Sequence, residues 1–145
     1  TRNRRARRGT MERLKVGLVY EEKMVVEPGQ AASVLIPRLP EVLATASLVS
    51  FLQLAAAKAV APYLKRGQST VGTKIALEQL ASTPVGIEVK ATVRLEQLEG
   101  RRIGFVLEAY DEFEKICKGT HERYIIEIDW LRKKVEDKLR LKKGD

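Results

Sequence analysis

The sequence is short of the residues that most reaction chemistry draws on. It holds one histidine, His121, and one cysteine, Cys117, so no metal-ligand cluster can be assembled from them and no intramolecular disulfide can form. It lacks a glycine-rich phosphate loop, a GxSxG elbow and a dinucleotide fingerprint. No apolar h-region follows the charged N-terminus, so nothing reads as a signal peptide. The longest apolar stretch, 42–64, carries Thr45, Ser47, Ser50, Gln53 and Lys58, with Pro62 near its end. It is too polar for a membrane span and is expected to be a buried core helix. A single cysteine suits a reducing, cytoplasmic compartment.

Charge of both signs is plentiful but unevenly placed. The net charge is +8, and Arg2, Arg4, Arg5, Arg7 and Arg8 stand in the first ten residues with no acid among them. Without those five, 22 basic residues face 19 acidic ones, leaving +3. Residues 1–10 are expected to be a solvated basic tail, and 11–145 a single domain long enough to bury its own core. Five arginines without interleaved aromatics are weak support for a nucleic-acid partner, and none is expected.

The apolar periodicity orders the elements. Lys15 to Val26 reads as an entry strand, which Pro28-Gly29 ends. Val42 to Leu64 is helical in spacing but apolar nearly all round, with Ala55-Ala56-Ala57 permitting close packing. Such a helix must be covered on most faces, and a curled sheet is an economical cover. Lys65, Arg66 and Gly67 suit its C-terminal end. Strands follow at Ser69 to Leu80, Ile87 to Glu96, Ile103 to Ala109 and Lys115 to Ile128, then a helix from Trp130 to Leu141. Ile87, Val89, Ala91, Val93 and Leu95 alternate with polar residues, as in a half-buried antiparallel strand. Short turns between strands imply a meander. The expected class is α+β, of hotdog type: a long central helix wrapped by a curved antiparallel sheet, with a C-terminal helix.

Two glutamines stand in apolar company. If Val71, Thr73, Ile75, Leu77 and Gln79 share one strand face, Gln79 points an amide toward the helix, where an unpaired polar group is costly. It is either a site residue or a glutamine bonded to backbone. Thr45, Val49 and Gln53 form one helical stripe, Thr45 being also a possible N-cap and Gln53 a possible edge residue.

Several blocks resemble the fluoroacetyl-CoA thioesterase-like family of hotdog proteins. They are Pro40-Glu41-Val42-Leu43-Ala44-Thr45, Ala59-Val60-Ala61-Pro62-Tyr63-Leu64, Thr70-Val71-Gly72-Thr73, Ala81-Ser82-Thr83-Pro84-Val85-Gly86, Glu99-Gly100-Arg101-Arg102 and Gly119-Thr120-His121-Glu122-Arg123. The resemblance covers roughly Val16 to Leu139. The resemblance implies a homodimer that hydrolyses short acyl-CoA thioesters at its interface, with coenzyme A entering only as part of the substrate and no separate cofactor. It implies a catalytic threonine at Thr45, a glycine at Gly72 and an arginine at Arg123 in the substrate-binding site. Where the family has a glutamate this chain has Gln53, and where it has a histidine this chain has Gln79. An amide cannot serve as a general base or carboxylate nucleophile, though it can orient a water or donate to a carbonyl. Glu78 is expected on the wrong strand face, and His121 in a structural role. A non-catalytic acyl-CoA-binding protein is therefore the rival of a thioester hydrolase.

Overall fold

The computed structural model describes residues 13–144, so the arginine-rich tail at 1–10 lies outside the described residues. The strands are β1 (Val19–Val25), β2 (Gln68–Gln79), β3 (Glu88–Glu99), β4 (Arg102–Tyr110) and β5 (Lys115–Glu127). The helices are α1 (Ala32–Leu35), α2 (Thr45–Val60) and α3 (Ile128–Lys142), with 3-10 turns at Pro28–Gln30 and Ala61–Tyr63. All five strands join one antiparallel sheet in the order β1-β3-β4-β5-β2. This is the hotdog arrangement expected from the sequence, but it is not a plain meander. Only β3-β4-β5 run consecutively, while β1 and β2 form opposite edges and α2 carries the chain between them.

The central helix is shorter than its apolar pattern. Val42 and Leu43 are taken into isolated bridges with Pro84 and Ala31, so the helix begins only at Thr45. The 3-10 turn containing Pro62 follows Val60. Lys65, Arg66 and Gly67 therefore lie in the turn into β2, where Gly67 takes a φ of +84°. Leu48, Phe51, Leu52, Ala55, Ala56, Ala59 and Val60 form the buried face of α2. They meet the inward rows Val89, Ala91, Val93 and Leu95 of β3 and Ile103, Phe105, Leu107 and Ala109 of β4. Each fully buried leucine contributes about 1.5–3 kcal/mol. The opposite stripe, with Ala46, Ser50, Leu54 and Lys58, is exposed, so one chain covers only one side of this helix. Thr45–Tyr63 is long and apolar enough by composition to cross a membrane, yet here its apolar face packs on the sheet as a core helix does.

The strand periodicity fails at one point that matters. The β2–β5 register slips between Gly72 and Lys74. Gly72 faces Arg123, whereas Ile75 faces His121 and Gln79 faces Cys117. A bulge adds one residue and so changes which parity faces inward. Thr70 and Gly72 therefore share the helix-facing side with Ile75, Leu77 and Gln79; Val71 and Thr73 do not. Strict alternation cannot reveal this.

On the far side of the same ladder, a Cβ on Gly119 would collide with the Ala76 carbonyl oxygen and crowd Leu77. Backbone cannot yield there. On Gly104 a Cβ would meet only the flexible Gln97 side chain. Gly119→Ala should therefore cost about 1–3 kcal/mol, while Gly104→Ala should cost distinctly less. Chemical denaturation of the two variants checks the difference.

Candidate functional site

The start of α2 is held from three directions. Leu43 N–H donates to the Thr83 carbonyl at 2.7 Å, Ala44 N–H to the Gln30 carbonyl at 2.8 Å, and Val42 bridges Pro84. Thr83 is buried, and its hydroxyl donates to Asp111 Oδ2 at 2.9 Å, while Asp111 Oδ1 accepts from the N–H groups of Phe113 and Glu114. Two loops are thus tied to the residue pair that precedes Thr45.

Thr45 is the first residue of α2 rather than its cap. Ala44 occupies the cap position, and no side chain caps the helix. The Thr45 hydroxyl instead donates to Gln79 Oε1 at 2.5 Å, and Gln79 Nε2 donates to the Ala81 carbonyl at 3.3 Å. Gln79 is therefore both bonded to backbone and paired with Thr45. Thr45 is exposed and Gln79 half-buried, so the pair lies on an open face.

A second group lies further along α2. Arg123 is buried at 7% exposure. Its Nε–H donates to the Thr70 hydroxyl at 2.8 Å and its Nη2–H to the Thr70 carbonyl at 2.9 Å. Its Nη1–H points at His121 Nε2, 3.2 Å away. His121 Nδ1 lies 2.7 Å from the Lys74 carbonyl, which the bulge leaves pointing inward. A carbonyl can only accept, so Nδ1 carries the proton and Nε2 offers its lone pair to Arg123. The ring also stacks on Phe105 at 5.9 Å. Burial first, and then the nearby Arg123 charge, hold the imidazole below its ordinary pKa, against the pull of the Lys74 carbonyl. His121 is a neutral, fully engaged structural group, as expected, and has no free lone pair for base catalysis.

Gly72 is the floor of this group. Its missing Cβ would stand 2.5 Å from Gln53 Oε1, 3.2 Å from Arg123 Nη1 and 3.2 Å from His121 Cε1. Glycine is required here by close approach, not by backbone angle. Thus Thr45 and Gln79 meet, and Gln53, Gly72 and Arg123 meet, but the two sets remain apart. Eight residues of α2 separate Thr45 from Gln53, about 12 Å at 1.5 Å per residue. Glu78 faces away and lies 3.9 Å from Lys118. Sequence reasoning missed Thr70, which anchors Arg123, and Asp111, which secures Thr83. Neither stands out from neighbouring polar residues in the sequence. Among the basic residues near the site, Arg102 is engaged by Glu99 and Glu122, whereas Lys65 and Arg66 make no ion pair among the described residues.

Because this is the only histidine, its linkage to folding can be isolated. Its folded pKa is lowered from 6.5, so the unfolded chain takes up the proton first. The stability His121 contributes is complete above its ordinary pKa and is lost as pH falls through the lowered one. Between about pH 7 and about pH 5 the unaltered chain should lose more stability than His121→Gln. Melting curves at both pH values measure this.

Comparison with known proteins gives a consistent picture. Residues 22–129 match the family model described as fluoroacetyl-CoA-specific thioesterase. The fluoroacetyl-CoA thioesterase of Streptantibioticus cattleyicolor is 35% identical over 131 residues, covering 86% of this chain and 94% of that protein. A solved structure of the fluoroacetyl-CoA thioesterase FlK superposes with a TM-score of 0.84 at 34% identity, covering 88% of this chain and 98% of that one. A mutant of the same enzyme was solved in complex with fluoroacetate and CoA; it has a TM-score of 0.77 at 35% identity, over 81% of this chain and 99% of that one. A thioesterase superfamily member from Thermus thermophilus gives a TM-score of 0.81 at 26% identity, over 93% of this chain and all of that one.

Proposed function

This chain belongs to the fluoroacetyl-CoA-specific thioesterase family, and on that premise we propose that it binds a short acyl-CoA thioester at a site built from Thr45, Gln53, Gly72, Gln79 and Arg123. It is an acyl-CoA thioesterase-like protein; the acyl length, the site and its turnover are the proposal. The observation that carries it is the Thr45–Gln79 hydrogen bond, which joins residues 34 apart in sequence at the start of the helix. A hydroxyl whose proton is held by Gln79 turns its lone pairs to a water, while the first-turn N–H groups of α2, which no side chain caps, suit a thioester carbonyl.

The chemistry asked of this site is hydrolysis. Water adds to the thioester carbon, and the tetrahedral intermediate expels the CoA thiolate, which gains a proton. A carboxylate remains. Thr45, its proton on Gln79, would accept from the attacking water, or bond the carbonyl once the Gln79 amide turns its Nε2 to the hydroxyl, and Gln53 and Gln79 would orient that water. Neither amide can take its proton. His121 offers no substitute, since its lone pair faces Arg123. Hydrolysis is therefore slow by this reading. The same observation favours a second one, a non-catalytic acyl-CoA-binding protein. Saturable binding without turnover would select the second.

The active form in this proposal is a homodimer. A single thioester carbonyl is too small to touch Thr45 and Gln53 of one helix about 12 Å apart. The exposed stripe of α2, with Leu54, is left for a second copy to cover. Lys65, Arg66 or Arg102 would meet the CoA phosphates in this reading. No cofactor besides the thioester is required, and a cytoplasmic location fits the single cysteine. Sedimentation should give twice 16.3 kDa; a stable monomer that still binds acyl-CoA would remove the shared site.

The amides set the second expectation. Gln53→Glu with Gln79→His should raise thioester hydrolysis by ~10²–10⁴-fold over the unaltered chain. Thr45→Ala in that background should lower it again. Steady-state release of free CoA measures both. A double variant that folds and binds yet gains nothing would show that the two amides are not what limits the rate.

A further inference from the structure

Both members of the Thr45–Gln79 pair take their place from one short loop. Gln79 Nε2 donates to the Ala81 carbonyl. Two residues on, the Thr83 carbonyl accepts from Leu43 N–H at 2.7 Å, and Val85 N–H donates to the Glu41 carbonyl at 3.0 Å. The chain just ahead of Thr45 is thus bridged to the loop that holds the Gln79 amide. No side chain caps the first turn of α2, so this bridge is what sets where its N–H groups point.

The loop is fixed in turn by Asp111, between β4 and β5. Its Oδ1 accepts from Phe113 N–H at 2.8 Å and Glu114 N–H at 2.9 Å, and its own N–H donates to the Glu114 carbonyl at 2.9 Å. Those bonds are sufficient to make the turn. Oδ2 has no part in them. It reaches 28 residues back along the chain to the Thr83 hydroxyl, 2.9 Å away. Thr83 is buried, so its hydroxyl must find a partner within the protein. A carboxylate already held by two N–H groups is a strong and immobile one.

We propose that Asp111 is a positioning residue for the thioester site. Through Thr83 it sets the loop that spaces the Gln79 amide from the first turn of α2, and so fixes the grip of that turn on an acyl carbonyl. Asp111 itself touches neither. The proposal rests on the reading of this face as an acyl-CoA thioester site and adds to it a residue from a different turn of the sheet.

Calorimetric titration of the full chain tests it with two ligands. One is the ketone analogue of acetyl-CoA, with a methylene in place of the sulfur; the other is S-ethyl-CoA, which lacks the carbonyl. The unaltered chain should prefer the ketone about tenfold. Thr83→Val, which removes the hydroxyl and keeps the shape, should cut that preference to about threefold or less while S-ethyl-CoA binds as before. Asp111→Ala should do the same, and Thr83→Ser should restore the preference. If Thr83→Val does not fold by circular dichroism, Asp111→Ala, in a half-buried turn, decides. A full preference in these variants, an equal loss of affinity for both ligands, or a Thr83→Ser that behaves as Thr83→Val overturns the positioning role and leaves the thioester reading standing. If the unaltered chain binds neither ligand, or binds both alike, the thioester reading falls and this role with it.

Discussion

The extra residue in β2 is the constraint on which the site depends. Without the slip between Gly72 and Lys74, Gly72 and Gln79 would point to opposite faces of the sheet. One bulge turns the first half of the strand so that Thr70 and Gly72 join Ile75, Leu77 and Gln79 beneath the helix. It also frees the Lys74 carbonyl for His121, whose ring in turn meets Arg123. A backbone irregularity thus fixes a tautomer, and the tautomer helps fix a guanidinium.

The polar groups under α2 are built from neutral parts around one charge. Threonine hydroxyls, amides, carbonyls and an uncharged imidazole surround Arg123, and no buried side-chain nitrogen or oxygen among the described residues lacks a partner. That arrangement satisfies geometry without neutralising the ion. It separates two tasks that a carboxylate at position 53 would merge, namely holding the arginine and activating a water. With the amide, the first falls to Thr70 and His121.

Much of the fold was legible in the sequence because burial is periodic. The β3 and β4 rows read correctly, as did the order of strand, helix and strands, and the polar oddity of Gln79. What could not be read follows from the same physics. Parity counting assumes an unbroken strand, so it placed Val71 and Thr73 inward where Thr70 and Gly72 belong. Apolar composition does not tell helix from buried extended chain, so the sequence points to a helix from Val42 although the bridges of Val42 and Leu43 delay it to Thr45. Short turns suggested a meander, but the placing of β2 against β5 is a long-range choice with no local signal. Thr45 carried an ambiguity between cap and site, which its bond to Gln79 Oε1 resolves against the cap.

Cys117 gives this architecture an unintended reporter. The thiol is fully buried, directly across the ladder from Gln79, and burial pushes its pKa up to about 11. In the closed fold it is neither reachable nor ionised, which makes it inert to alkylating reagents. Modification must wait for the core around it to open, as when β2 peels from β5, the movement that would also part Gln79 from its place beside Thr45. The labelling rate of this single sulfur is therefore a native clock for breathing at the sheet edge, with no foreign probe introduced.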